Sequence, residues 1–279
     1  MLDRYNSPLD PSSSGSRPFN AGLDSEGRGD AEGAERHYRS AVDEGCVEAM
    51  VNLGTLLSSG GGSQKEEAAS LFRCAAGLGD PSGMRNTGYV NAVGIGVPVD
   101  KGEAVRWYRM AAERGNVKAQ CNLAILYRGG KGVPQSYEEA LRWSLMSAEA
   151  GYFRAQANLA QLYMNGQGTE KDMSKALYWY ERAAENGSPR GMYNVALMCL
   201  DGLGTPPDRE RARGLLATAA GKGYAKAMYV LGDMLLSEGR EGEAFDLFRG
   251  GAAKGEQRCI DALVSAGRPV PEYTGWKRK

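Results

Sequence analysis

Five asparagines stand in one register of this chain, at Asn52, Asn86, Asn122, Asn158 and Asn194, with Val230 where a sixth would fall. A primary amide carries donors and an acceptor on one planar group, so it can hold the N–H and the C=O of another chain's backbone together. A polar residue with no task would not be expected to recur five times in one helical register. The same amides have an internal use, bonding the loop or helix beside them as half-buried amides commonly do. Both uses remain open on sequence.

Four residues before each of these positions runs a second column: Glu48, Ser82, Lys118, Arg154, Arg190 and Lys226. Residues four apart lie on the same face of a helix, so the later asparagines each have a cation one turn away. Such a stripe orients acidic partners by complementary potential; a solvated charged face is the plainer alternative. Tyr193 and Tyr229, with Arg85 and Tyr89, fall between the columns and read as anchors of the kind enriched at interfaces. The candidate peptide-binding set is therefore Asn86, Asn122, Asn158 and Asn194, the cations Lys118, Arg154, Arg190 and Lys226, and these four anchors.

Other chemistry has less behind it. Trp107, Trp143 and Trp179 form a column continued by Leu71, Leu215 and Leu247, which points to core packing and not to a cofactor platform. The pairs Gly94-Ile95-Gly96, Gly130-Lys131-Gly132, Gly166-Gln167-Gly168 and Gly202-Leu203-Gly204 invite a phosphate cradle. That cradle needs a strand before it and a helix after it, whereas these pairs join two helices as turns of positive φ. His37 is the single histidine, which leaves no repeated acid–base set and no histidine-rich metal site. Arg28-Gly29-Asp30 reads as a chance triplet. Neither a catalytic residue, a cofactor nor a metal is expected.

Charge and cysteine usage set further bounds. The 34 basic and 34 acidic residues cancel, so no global charge argues for nucleic acid or an anionic membrane. No stretch approaches the roughly 20 apolar residues of a membrane helix. The opening MLDRYNSPLD has no apolar run and does not read as a secretory signal. Five cysteines are scattered singly, without a CxxC pair, as suits a reducing compartment. The expected location is cytoplasmic, with nucleus or organelle matrix left open.

The elements that would position these columns are helices. Gly79, Gly115, Gly151, Gly187 and Gly223 recur every 36 residues, a period typical of stacked repeats that share a core. Within 116–151, apolar spacing predicts a helix over 118–127, a glycine loop over 129–134, a helix over 138–149, and a left-handed stop at Gly151. Residues 1–18, rich in Pro and Ser, are expected to be a disordered tail. Residues 19–266 read as one repeat array: a degenerate opening unit whose first helix is short or broken around Asp24 to Asp30, six fuller units, and one capping helix. Residues 267–279 read as a C-terminal tail, from the helix stop at Arg268-Pro269-Val270-Pro271 to Trp276-Lys277-Arg278-Lys279.

Ala119, Leu123, Tyr127, Gly130, Gly132, Val133, Ala140, Trp143 and Gly151, with Ala104, Trp107, Tyr108, Ala111, Ala112 and Gly115 one unit earlier, make a pattern that resembles the Sel-one-like repeat, a tetratricopeptide-like helical repeat. The resemblance runs over about 31–266. Thr87 and Asn91 depart from its Leu and Tyr positions, and Cys199 from a Tyr position, which should weaken local packing only. The resemblance implies an all-α fold, an α/α solenoid wound as a right-handed superhelix of about six such repeats, with the first helices lining a concave groove. In that setting the asparagines would bond an extended peptide. The function implied is a non-catalytic adaptor or scaffold for an acidic, extended segment of a partner protein, with no small-molecule substrate. An architectural subunit of a larger assembly needs the same scaffold. Some cysteine-rich members are described as β-lactam-hydrolysing; this chain lacks a paired cysteine in each repeat.

Overall fold

The computed structural model describes residues 2–272, and these form fifteen helices and no strand. The Trp276–Lys279 ending lies outside the described residues. Helices alternate in pairs: α1 (Ser16–Gly27) with α2 (Ala31–Asp43), α3 (Val47–Leu57) with α4 (Gly62–Gly77), α5 (Pro81–Val93) with α6 (Lys101–Glu113), and α7 (Val117–Gly129) with α8 (Tyr137–Glu149). The series continues with α9 (Phe153–Asn165) and α10 (Met173–Glu185), α11 (Pro189–Asp201) and α12 (Arg209–Gly221), α13 (Ala225–Ser237) and α14 (Glu241–Ala252), then α15 (Gln257–Ser265).

Local chemistry places the ends. Asp100, Asp172 and Asp208 each accept the backbone N–H three residues on, at 2.8–2.9 Å, and so open α6, α10 and α12. Second helices end on glycine: Gly115 takes φ 82°, and the next N–H, that of Asn116, turns back to the Ala111 carbonyl at 3.0 Å. The inter-helix glycines are not phosphate loops. At Gly96 and Gly132, φ is 68° and 75°, and a Cβ would lie 2.0 Å and 2.3 Å from the backbone of Lys65 and Lys101 in the preceding repeat. Only glycine permits both the positive φ and this approach.

Packing within a pair rests on a second recurrent glycine. A Cβ at Gly22, Gly54, Gly88 or Gly232 would meet the ring of Tyr38, Phe72, Tyr108 or Phe248 at 2.5–2.7 Å, so these four first helices are notched for an aromatic of their partner. The most buried column of the second helices therefore lies one residue beyond the tryptophans. Tyr38, Phe72, Tyr108, Tyr180, Leu216 and Phe248 are all at most 3% exposed. Trp107 and Trp179 are only half-buried, although Trp143 is 4% exposed. The indole N–H of Trp107 reaches Glu103 at 2.8 Å and that of Trp143 reaches Glu139 at 2.9 Å, which holds their edges at the polar rim. The departures at Thr87 and Asn91 are buried and satisfied on their own helix, donating to Gly83 and Thr87 carbonyls at 2.8 Å.

Two compact units result, residues 1–146 and 147–279. The core of the first is built on Phe19, Tyr38, Leu53, Leu57, Phe72 and Val90; that of the second on Tyr180, Met198, Leu216, Leu231 and Phe248. The opening pair is more regular than its sequence suggests. α1 is continuous through Asp24, and Arg28-Gly29-Asp30 is the turn into α2, with Asp30 accepting the Gly33 N–H at 2.8 Å.

The N-terminal stretch also differs from its composition. Leu2 and Asp3 are buried, Tyr5 and Leu9 half-buried, and Leu2 joins the core of the first unit. Few of its residues are apolar, so burial alone would not order it. What holds it is a set of polar contacts supplied by the helices.

Candidate peptide-binding site

In the first unit, the asparagine register reads backbone. Asn86 accepts the Asp3 N–H at 2.7 Å and donates to the Asp3 carbonyl at 2.9 Å. Asn52 does the same for Tyr5, at 2.7 Å and 2.8 Å. Asn20 on α1 does so for Leu9, at 2.7 Å and 3.0 Å. Each amide thus saturates one residue's main chain, the geometry a donor–acceptor side chain is suited to. The amides are themselves oriented: Arg85 donates to Asn86 at 3.1 Å, and Asn52 donates to the Tyr38 hydroxyl at 3.3 Å. Thr55 adds a bond to the Asp3 carbonyl at 3.0 Å.

Side chains are read at the same places. In an extended segment alternate residues face one side, so Asp3 and Tyr5 turn to the helices while Arg4 is exposed and pairs with Glu26 at 3.2 Å. The Asp3 carboxylate is 7% exposed and takes Lys118 Nζ at 2.6 Å and Asn116 Nδ2 at 3.0 Å. Charge-assisted bonds of this kind are the stronger sort. The Tyr5 hydroxyl donates to Asp80. Burial pushes the Asp80 carboxyl above its ordinary range, and the bonds from Tyr5 and the Gly83 N–H work against that rise.

The second unit uses the register internally. Asn158, 7% exposed, accepts from Arg190 at 3.0 Å, and Arg190 also donates to Gln161 at 2.6 Å. Asn194 donates to the Arg190 carbonyl on its own helix at 2.7 Å. Arg190 is thus held by amide oxygens and not by a carboxylate, and Arg154 and Lys226 make no ion pair among the described residues.

The anchors are placed unevenly. Tyr193 is 9% exposed within the core and packs on Tyr224 at 5.3 Å. Tyr229 is half-buried, between Phe248 at 6.0 Å and the Arg258 guanidinium at 4.6 Å. Arg85 is 4% exposed and stacks over Tyr89 at 5.2 Å. The buried Nδ2 of Asn122 has no hydrogen-bond partner among the described residues.

Sequence reasoning missed Asn20, Thr55, Asp80 and Asn116. A signal for Asn20 was present: Asn20-Ala21-Gly22, Asn52-Leu53-Gly54 and Asn86-Thr87-Gly88 share N-x-G, the asparagine beside the glycine that seats the aromatic ring. Asp80 and Asn116 carried only cap signals, which both satisfy while using a second atom on the N-terminal segment. Elsewhere, no group of three or more His, Cys, Asp or Glu among the described residues could hold a metal ion, and no described helix is long and apolar enough to cross a membrane.

Among known proteins, the Sel1 repeat pattern matches residues 47–80, 81–116, 117–152, 153–188, 189–224 and 225–253. The chain is similar to a protective antigen of uropathogenic Escherichia coli strains that displays an SLR fold, at 27% identity and TM-score 0.75. That likeness covers 94% of this chain but 59% of the antigen's length. A Sel1 repeat protein from Oxalobacter formigenes is 29% identical with TM-score 0.66, over 72% of this chain and 82% of that one. Yeast Tom70, 15% identical with TM-score 0.56 over 96% of this chain and 67% of that chain, shares the fold alone. No curated protein matches. Six consecutive matches, each beginning with the first helix of a pair described above and ending within three residues of the second, show that the chain belongs to the Sel1 repeat family.

Proposed function

We propose that this chain is a non-catalytic adaptor of the cytoplasm that holds an extended, acidic segment of a partner protein on the asparagine-bearing faces of its first helices. Folds of this family generally serve protein–protein contact. The observation that carries the finer reading is the grip of Asn86 and Asn52 on the backbone of residues 3 and 5, with a carboxylate seated on Lys118. The second unit offers Arg154 and Lys226 in the register of Lys118, without carboxylate partners among the described residues. Tyr229 and Tyr89, half-buried, supply apolar contact beside these columns.

The test is partner recovery. Native chain, the triple variant N122A/N158A/N194A and the charge reversal K118E/R154E are compared by affinity capture, with circular dichroism to check the fold. Loss of a common partner set from both folded variants is expected. Recovery equal to native from both would place binding elsewhere on the surface and sink this reading.

A further inference from the structure

The grip on residues 2–9 is more regular than tying a segment to the helices would require. Three residues, Leu9, Tyr5 and Asp3, are held by three amides on α1, α3 and α5, so the segment runs against the order of the repeats. Backbone is read at each rung, and side-chain identity is read at two of them: a carboxylate at Lys118 and Asn116, and a phenol at Asp80. Arg4, between them, faces out to Glu26. A surface that recognises Asp-x-Tyr in cis has the chemistry to recognise it in trans.

Resting on the adaptor reading, we infer that residues 2–9 are an intramolecular occupant of the binding site in the first unit. The partner that fits this site is an extended segment carrying an acidic residue two positions before a tyrosine, and it binds only as the chain's own segment leaves. A tethered segment competes at an effective concentration on the order of a millimolar. The apparent affinity for a free ligand falls by the fraction of molecules whose site is open. The buried Nδ2 of Asn122, in register after Asn86, has no hydrogen-bond partner among the described residues.

The experiment uses the full-length chain and a fluorescein-labelled peptide copying residues 2–9, with a control peptide carrying Lys at the Asp position. Native chain is compared with D3A/Y5A, which unfastens the segment and leaves every helix residue intact. D3A/Y5A should bind the peptide at least about tenfold more tightly than native, adding N52A/N86A should abolish that binding, and the control peptide should bind none of them. Equal affinity of native and D3A/Y5A, whether both bind or neither does, overturns the inference. Should D3A/Y5A lose its helical signal, D3N/Y5F carries the comparison. It keeps the packing but drops the ion pair to Lys118 and the hydroxyl bond to Asp80, with a gain of about threefold expected and none overturning the inference. Equal peptide binding together with asparagine-dependent partner recovery would remove the intramolecular occupant and leave the adaptor reading standing; loss of both would remove both.

Discussion

The two units carry the same register of asparagines and cations and use it in opposite ways. In residues 1–146 the amides of Asn20, Asn52 and Asn86 reach out to another stretch of backbone, and Lys118 meets a carboxylate. In residues 147–279, Asn158 and Asn194 turn to Arg190 and its carbonyl, and the cations meet no carboxylate among the described residues. What differs is whether an extended segment lies beside the helix. Without one, a half-buried amide must find its partners on its own helix or the next, because an unpaired buried polar group costs about 1–3 kcal/mol. The second unit therefore spends the register on its own helices, where the first unit spends it on another stretch of backbone.

That contrast can be broken most directly by removing amides from each unit. N52A/N86A deletes four bonds to residues 3 and 5 and should destabilise the first unit by about 2–3 kcal/mol in urea unfolding. N158A/N194A deletes contacts to Arg190 and its carbonyl within the second unit and should cost about 1 kcal/mol. Equal losses would mean that the first unit's amides are no more committed than the second's.

Charge reversal sharpens the same point. K118E sets a carboxylate against buried Asp3 and should free residues 2–9, raising their hydrogen exchange by about tenfold or more, as loss of some 1.4 kcal/mol of protection implies. R154E opposes no described carboxylate and should leave stability within about 0.5 kcal/mol of native. An unchanged exchange rate in K118E would detach Asp3 from Lys118.

The pH dependence of the first unit should carry a mark of Asp80. Burial raises its folded pKa above the ordinary 3.8, so the folded state binds this proton more tightly than the unfolded chain. Its contribution is present below that ordinary value and lost as pH rises through the higher folded one. The urea midpoint of native protein relative to D80N should thus fall as pH rises from 3.8 upward, a small effect opposed by the Tyr5 and Gly83 bonds; a flat difference would contradict it. Smallest is a thiol assay on which the units should agree. Burial pushes the Cys46 thiol in the first and the Cys259 thiol in the second up to about 11, while Cys74 is exposed. One fast-reacting thiol at neutral pH and four released on unfolding are expected; a fast-reacting Cys259 would show the second unit to be the looser.

Much of the fold was legible because its signals are local. Apolar spacing, Asp caps and glycine stops act within a few residues, and their recurrence every 36 residues carried the helix pairs to within a residue or two. The tryptophan column was placed one residue off the deepest line, because burial depends on which ring the opposing Gly54 or Gly88 admits, a contact that spacing within one helix does not encode. Tyr193 looked like a groove anchor by position, yet its ring packs on Tyr224 in the core.

By itself, the sequence determined that this is an all-helical Sel1 repeat chain with an amide and a cation repeated on one face of its first helices, since repeats and helix periodicity need no knowledge of distant contacts. Only the tertiary structure decided what those amides hold. Asp3 meets Asn86 across 83 residues and Lys118 across 115, and composition made the segment bearing it read as disordered. Its order comes from paired backbone bonds offered by other helices, which exist only once those helices stand side by side.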